Sequence, residues 1–424
     1  MITSALFTDF YELTMAQGYW KENMDQKVVF DMFFRKNPFN GGFSVLAGNE
    51  TLIDILTEFK FSKDDIDYLR EQKIFEEGFL EYLSNFKFSG DLYTMDEGTV
   101  IFPQEPIVRI HANLIEAQII EGLLLNHINF QSLIATKTAR VWIASKKAPI
   151  MEFGLRRAQD MGCFLPTRAS YIGGCVGTSN VAAAQYYGID VKGTMAHSFI
   201  MSYENELDAF KSYLIASEGN TTLLVDTYDT REGVKNAIKA SEETGIKLQG
   251  IRIDSGDLAY WSKEARKLLD AANMEHTKIV ASNDLDEYLI ENLIMVQQAP
   301  IDIFAVGTKL VTAYDNPALG GVFKTKEYNH QPKIKIAEGK TTIPGSTNVI
   351  RIIKNGKYEG DIITKSADNL ITDGKLNRNV QSFKLTYSLT IVLSTKFTHF
   401  NNRFKFLLTS TLFGSKSNLL VSTL

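Results

Sequence analysis

Between Thr222 and Val311 the chain passes four times through one unit: a short apolar run, a polar or Gly-Thr terminus, then residues at helical spacing. The runs are T-L-L-V-D-T-Y-D (222–229), G-I-R-I-D-S-G-D (250–257), K-I-V-A-S-N-D (278–284) and I-F-A-V-G-T (303–308). An apolar run of this kind reads as a buried parallel strand, and in α/β proteins chemistry collects where such strands end. Here the polar residues stand at that end of every run, which points to an enzyme. The runs begin about 25–28 residues apart, close to one strand-helix unit with a right-handed crossover.

Two earlier stretches extend the series. P-I-M-E-F (149–153) and V-K-G-T-M-A-H (191–197) are read as strands, with a helix from about Ser179 to Tyr187 between them. Ser179 is expected to cap that helix and Gly188 to stop it. Six strand ends result, carrying Glu152/Phe153, Thr194/His197, Asp226, Asp254/Asp257, Asn283/Asp286 and Gly307/Thr308. Six strands suit an irregular α/β barrel better than a full eightfold one; a doubly wound open sheet competes. Residues 1–125 mix helices with strand-like V-V-F-D-M-F-F (28–34) and T-V-I-F-P (99–103), an α+β domain for which the resemblance given below implies an open sandwich. F-N-G-G-F (39–43) is turn chemistry. Apolar spacing is helical from Leu114 to Ala144. Residues 126–345 are expected to form the catalytic barrel, and 346–424 a C-terminal segment partly returning to the sandwich domain. From about 365 the composition turns apolar and β-prone, an aggregation hazard or a covered strand pair.

Composition narrows the function. With 424 residues, 44% apolar, the chain is long enough for two or three domains. A net charge of −5 argues against a nucleic-acid surface, while local phosphate pockets remain open. Cys163 and Cys175 show no metal or disulfide spacing, and the N-terminus shows no signal peptide, so a soluble cytoplasmic protein is expected, without a membrane partner. No P-loop, G-x-G-x-x-G or H-E-x-x-H occurs. Any metal should be a hard cation brought by phosphates rather than held in a protein cage.

The phosphate-handling candidates are the amides at Gly307-Thr308 and Gly320-Gly321 together with Arg156 and Arg157. Gly320-Gly321 reads equally well as an ordinary turn. His197 is either a satisfied core histidine or, standing one unit before Asp226, a nucleophile or base whose tautomer a carboxylate fixes. In D-S-G-D the carboxylates Asp254 and Asp257 suit ribose hydroxyls and a magnesium shell, or simply cap the next helix. Arg252 points opposite to Ile251 and Ile253, and a buried arginine requires an anionic partner.

T-D-F-Y-E-L-T-M-A-Q-G-Y-W (8–20), E-F-G-L-R-R-A-Q (152–159), G-T-M-A-H-S-F (193–199), I-R-I-D-S-G-D-L (251–258), G-V-F-K (321–324) and I-P-G-S (343–346) together resemble the nicotinate phosphoribosyltransferases, over about residues 4–360. The resemblance implies an irregular type II phosphoribosyltransferase barrel beside an open sandwich. It implies synthesis of nicotinate mononucleotide and diphosphate from nicotinate and 5-phosphoribosyl 1-diphosphate, coupled to ATP hydrolysis, in NAD salvage. Magnesium is expected through the diphosphate.

By that likeness Tyr11 stacks on the pyridine from a second subunit, which makes a homodimer the active unit, and Phe153 lies on the other face. Arg156 corresponds to a phosphate-binding arginine, Thr194 and Arg252 to nicotinate contacts, and Thr308 to a phosphoribosyl diphosphate contact. His197 corresponds to the histidine that ATP phosphorylates, with Asp226 orienting it, and Asp254 to a ribose contact. Sister nicotinamide-using enzymes carry an aspartate where G-T-S-N (177–180) places Ser179, so the acid is the expected substrate. A nicotinamide-using or other type II enzyme, or an inactive ligand-binding homologue, is the alternative. L-L-V-D-T-Y-D-T (223–230) resembles a type I phosphoribosyltransferase loop only superficially, because its acidic residues are separated.

Overall fold

The computed structural model describes residues 4–217, 221–354 and 357–365, with short strands at Val380–Phe383 and Leu420–Val421. The rest of the apolar stretch after 365 lies outside the described residues. Two compact units divide the chain: Met1–Leu133 with Ala318–Leu424, and Ile134–Pro317.

In chain order the first unit opens with α1 (Phe10–Lys21), β1 (Lys27–Phe33), β2 (Ser44–Val45), α2 (Asn49–Thr57), α3 (Lys63–Glu71) and α4 (Glu77–Ser84). It continues with β3 (Asp91–Thr94), β4 (Val100–Ile101), β5 (Val108–Asn113), α5 (Leu114–Ile119) and the first half of α6 (Glu121–Ala144). β1 is buried at six of its seven positions, so both of its faces are covered and its sequence is apolar apart from exposed Lys27 and buried Asp31. The second unit contains β6 (Ile150–Glu152), α7 (Phe164–Ile172), β7 (Cys175–Thr178), α8 (Val181–Tyr187), α9 (His197–Met201) and α10 (Glu206–Ala216). Then come β8 (Thr222–Leu224), α11 (Thr230–Thr244), β9 (Gly250–Ile253), α12 (Leu258–Ala271), β10 (Lys278–Ala281), α13 (Glu287–Glu291), β11 (Ile303–Val306) and α14 (Thr308–Val311). The chain re-enters the first unit with β12 (Val322–Tyr328), β13 (Gln331–Pro332), β14 (Thr347–Lys354) and β15 (Lys357–Lys365).

The first unit is built on an antiparallel sheet of order β13-β12-β1-β5-β3 and on the β14-β15 hairpin. Two buried arginines lock it. Arg109 grips Asp31 with Nε and Nη2 at 2.7 and 3.0 Å. Arg351 grips Asp361 with two bonds of 2.9 Å and donates to the Val100 carbonyl. The segment 318–345, expected with the barrel, belongs to this unit: β12 pairs antiparallel with β1, so its hydrogen bonds commit it there. The second unit correspondingly begins at 134 rather than 126.

The second unit carries one parallel sheet of order β7-β6-β11-β10-β9-β8. All four repeated runs are strands of it, each followed by a helix. Two local expectations fail. The segment 191–197 is no strand; it makes one isolated bridge, Thr178 to Val191, and His197 opens a helix instead. Its place is taken by β7, where Gly177 permits an approach to Asp190 and Lys192 that a Cβ would block. Helix α8 starts one residue late, capped by Asn180 accepting from the Ala183 amide, while Gly188 ends it in the left-handed region at φ 64°. The α/β class stands, but hydrogen-bonded closure does not. β7 and β8 are edges not paired to each other among the described residues, and six strands fall short of the about eight that close a parallel barrel.

Candidate functional site

Strands of three or four residues leave their C-terminal neighbours in loops at one end of the sheet, and the polar residues of the second unit gather there. At β6, Glu152 is 1% exposed and serves as a bracket. Its carboxylate accepts from the Gly154 amide, from Thr167 Oγ1 at 2.9 Å and from Thr178 Oγ1. Its carbonyl accepts from the Ser179 amide at 2.9 Å. One buried side chain thus ties the loop bearing Phe153 and Arg156 to the turn bearing Ser179. Phe153 is half-buried against Met151, Val280 and Ala305. Arg156 and Arg157 are exposed, and no ion pair engages Arg156 among the described residues.

Arg252 lies on β9 between buried Ile251 and Ile253, as alternation requires. Nη1 donates to Thr194 Oγ1, while Nε is buried with no hydrogen-bond partner. Burial, the largest influence, pulls the guanidinium pKa down, and the nearby Asp254 and Asp226 pull it back up. No carboxylate pairs with Arg252 among the described residues. The anionic partner expected from the sequence is therefore not among the described residues of this unit; a ligand can supply it.

Asp226 and Asp254 exchange their expected duties in part. Asp226 Oδ2 accepts from the Asp254 amide at 2.8 Å and from Ser255 Oγ at 2.6 Å, which fixes the turn after β9. It does not hydrogen-bond His197 among the described residues. The imidazole is instead flanked by Thr227 Oγ1, 3.0 Å from Nδ1, and by Asp254 Oδ2, 3.8 Å from Nε2. The Asp226 carboxylate, buried at the strand end, is engaged instead by the amide and the hydroxyl of the turn after β9. Asp254 Oδ1 accepts from Ser282 Oγ at the end of β10. Asp257 is a helix cap, accepting from the Tyr260 amide at 3.0 Å, and Asp286 likewise caps α13 while pairing with Lys309 at 2.7 Å.

Gly307 approaches the Phe153 carbonyl so closely that a Cβ would sit 3.0 Å from it, and half-buried Thr308 opens α14. The remaining candidates belong to the first unit. Tyr11 is 46% exposed on α1, beside exposed Phe10 and Met15. Burial of its hydroxyl region, then Glu121, Glu12 and Asp9, push its pKa up. Gly320 sits at φ 72°, but the Gly321 amide donates to Asn129 Oδ1 at 3.0 Å and is therefore not free for phosphate. Thr227 and Ser282 were missed as site residues, and Glu152 was placed at its strand end without a role. A hydroxyl directly following a strand-end carboxylate, as in Asp226-Thr227, was the available signal. Among the described residues no helix is long and apolar enough to cross a membrane.

The model for the nicotinate phosphoribosyltransferase (NAPRTase) N-terminal domain matches residues 6–129, and that for the nicotinate phosphoribosyltransferase (NAPRTase) family matches residues 149–365. A nicotinate phosphoribosyltransferase of Bacillus subtilis is 46% identical over 372 residues, spanning 85% of this chain and 76% of that protein. One from Mycobacterium tuberculosis is 43% identical over 373 residues, spanning 87% and 80%. Among solved structures, human nicotinic acid phosphoribosyltransferase superposes with a TM-score of 0.74 at 27% identity, over 85% of this chain and 82% of that one. A nicotinate-nucleotide pyrophosphorylase from Pyrococcus furiosus gives 0.73 at 26% identity, over 90% and 88%.

Proposed function

The chain belongs to the nicotinate phosphoribosyltransferase family, and we propose that it joins nicotinate to 5-phosphoribosyl 1-diphosphate, releasing diphosphate, for NAD salvage. The observation that carries the choice of substrate is Arg252, a half-buried arginine whose Nε is buried without a hydrogen-bond partner and which pairs with no carboxylate among the described residues. The nicotinate carboxylate supplies the missing charge, and a charge-assisted bond of this type contributes about 1.5–3 kcal/mol. Ser179 leaves that carboxylate unopposed, where an aspartate would repel it.

In the reaction the pyridine nitrogen bonds to ribose C1 as the C1–O bond breaks and its electron pair leaves on diphosphate. Positive charge grows on the ribose, and Arg156 faces the departing anion. Asp254 accepts from a ribose hydroxyl, and Thr308 holds the diphosphate end. Magnesium, brought as the counter-ion of the diphosphate, would supply charge neutralisation of the leaving anion beside Arg156. Among the described residues no three ligating side chains come together that could hold the ion without the substrate. Phe153 presents one aromatic face, and Tyr11 of a second copy supplies the other. Stacking contributes only about 0.5–1.5 kcal/mol beyond burial, whereas in-line positioning can supply up to about 7–11 kcal/mol. The aromatic slot therefore serves alignment. ATP phosphorylates His197, which couples its hydrolysis to turnover. Both cysteines are free thiols, in keeping with a reducing cytoplasm.

The test is a product assay with nicotinate, 5-phosphoribosyl 1-diphosphate and magnesium, run with and without ATP. Nicotinate mononucleotide should form in both arms and faster with ATP. No product in either arm ends the proposal.

A further inference from the structure

We propose that Thr227 is a positioning residue for His197: its hydroxyl donates to Nδ1 and holds the ring with its hydrogen on Nε2, facing Asp254. Thr227 follows Asp226 directly, and Asp226 is anchored twice to the turn after β9, so the hydroxyl stands on a fixed strand end. Its oxygen lies 3.0 Å from Nδ1, within hydrogen-bond range, and is the imidazole's one hydrogen-bond partner among the described residues.

A hydroxyl can donate or accept, so it alone leaves the tautomer open. Asp254 decides it. An ionised carboxylate only accepts, and its Oδ2 stands 3.8 Å from Nε2. A lone pair on Nε2 would point at that negative charge, whereas an N–H there is attracted by it. With the hydrogen on Nε2, Nδ1 carries the lone pair and Thr227 must donate. Ser282, bonded to the other oxygen of Asp254, keeps Oδ2 turned to the ring. The imidazole is thus anchored at Nδ1 and faces a carboxylate at Nε2 through residues that follow β8, β9 and β10, although His197 itself stands at the start of a five-residue helix.

The consequence for ATP coupling rests on the reading of His197 given above: a ring that has lost its Nδ1 anchor is free to rotate and stands in the right orientation toward ATP for only part of the time. Nitrogen-15 chemical shifts of the His197 ring, in histidine-labelled full-length protein, read the tautomer directly. The expected result is the Nε2–H form in the native protein with its Nδ1 resonance shifted by an accepted hydrogen bond, loss of that shift in Thr227→Val with the Nε2–H form kept by Asp254, and return of the shift in Thr227→Ser. The ratio of rates with and without ATP should fall about fivefold to tenfold in Thr227→Val, the loss of one hydrogen bond, and recover in Thr227→Ser. An unfolding midpoint equal to that of the native protein separates this from general damage. An Nδ1–H form in the native protein, or an Nδ1 resonance unchanged in Thr227→Val, overturns the proposal. Full ATP stimulation in His197→Ala instead overturns the coupling reading, while the ring shifts still decide the tautomer.

Discussion

Arg109 and Arg351 of the first unit and Arg252 of the second are treated in opposite ways. In the first unit Arg109 and Arg351 each clasp a carboxylate with two short bonds, and Arg351 also bonds a backbone carbonyl. In the second unit Arg252 has a threonine hydroxyl, a free Nε, and carboxylates near but not touching. The first pattern is a closed arrangement that serves the fold. The second is one bond short, and a buried donor left short raises the free energy of the empty protein. A ligand that completes it recovers that energy as affinity.

Replacing Arg351 by methionine strands the Asp361 carboxylate and should destabilise the protein by about 3–5 kcal/mol in denaturant unfolding. Replacing Arg252 by methionine should leave the unfolding midpoint unchanged or raise it, and lift the KM for nicotinate about tenfold to a hundredfold. Equal losses of stability in the two variants would erase the distinction between the units. Next in size is complementation. Tyr11→Ala and His197→Ala should each be inactive, the first for synthesis and the second for ATP coupling. Mixed and re-equilibrated, they should regain about a quarter of the native ATP-coupled activity, because half the dimers then hold one complete site. No recovery would mean that Tyr11 does not reach a neighbour's site. Ser179→Asp should lower nicotinate affinity by about one to two decades and leave nicotinamide less affected; an unchanged acid preference removes Ser179 from the specificity argument.

The smallest effect lies in the first unit. Burial, opposed by the Thr8 hydroxyl and assisted by Glu121, raises the Glu12 pKa to about 7. The folded state then binds a proton more tightly than the unfolded one. This contribution is fully present below the unfolded value near 4.5 and is lost as pH rises through about 7. Glu12→Gln should flatten the fall in stability over that window, as chemical unfolding at stepped pH would show.

Legibility followed the range of the interactions. The four repeated strands were readable because each is a local apolar run, and the Gly188 stop because a left-handed position selects glycine within one turn. The strand at Cys175–Thr178 was hidden since it is short, exposed at Val176, and shares its pattern with the 191–197 loop that makes only one bridge to it. Among site residues, Arg252 was placed by simple alternation. What Gly321 and Asp226 bond to was not readable: Asn129 lies 192 positions from Gly321, and the anchoring of Asp226 depends on strand register. The boundary near 318 was missed for the same reason, as β12 is committed by β1 at the far end of the chain.

That last pairing has a kinetic side. Val28 faces Tyr328, so during synthesis the first strand is finished long before its neighbour leaves the ribosome. The intervening unit contains all of its own strands and can collapse first, while the edge of β1 waits without a partner. For this chain the slow and aggregation-exposed stage of birth is the closing of the sheet that does no chemistry.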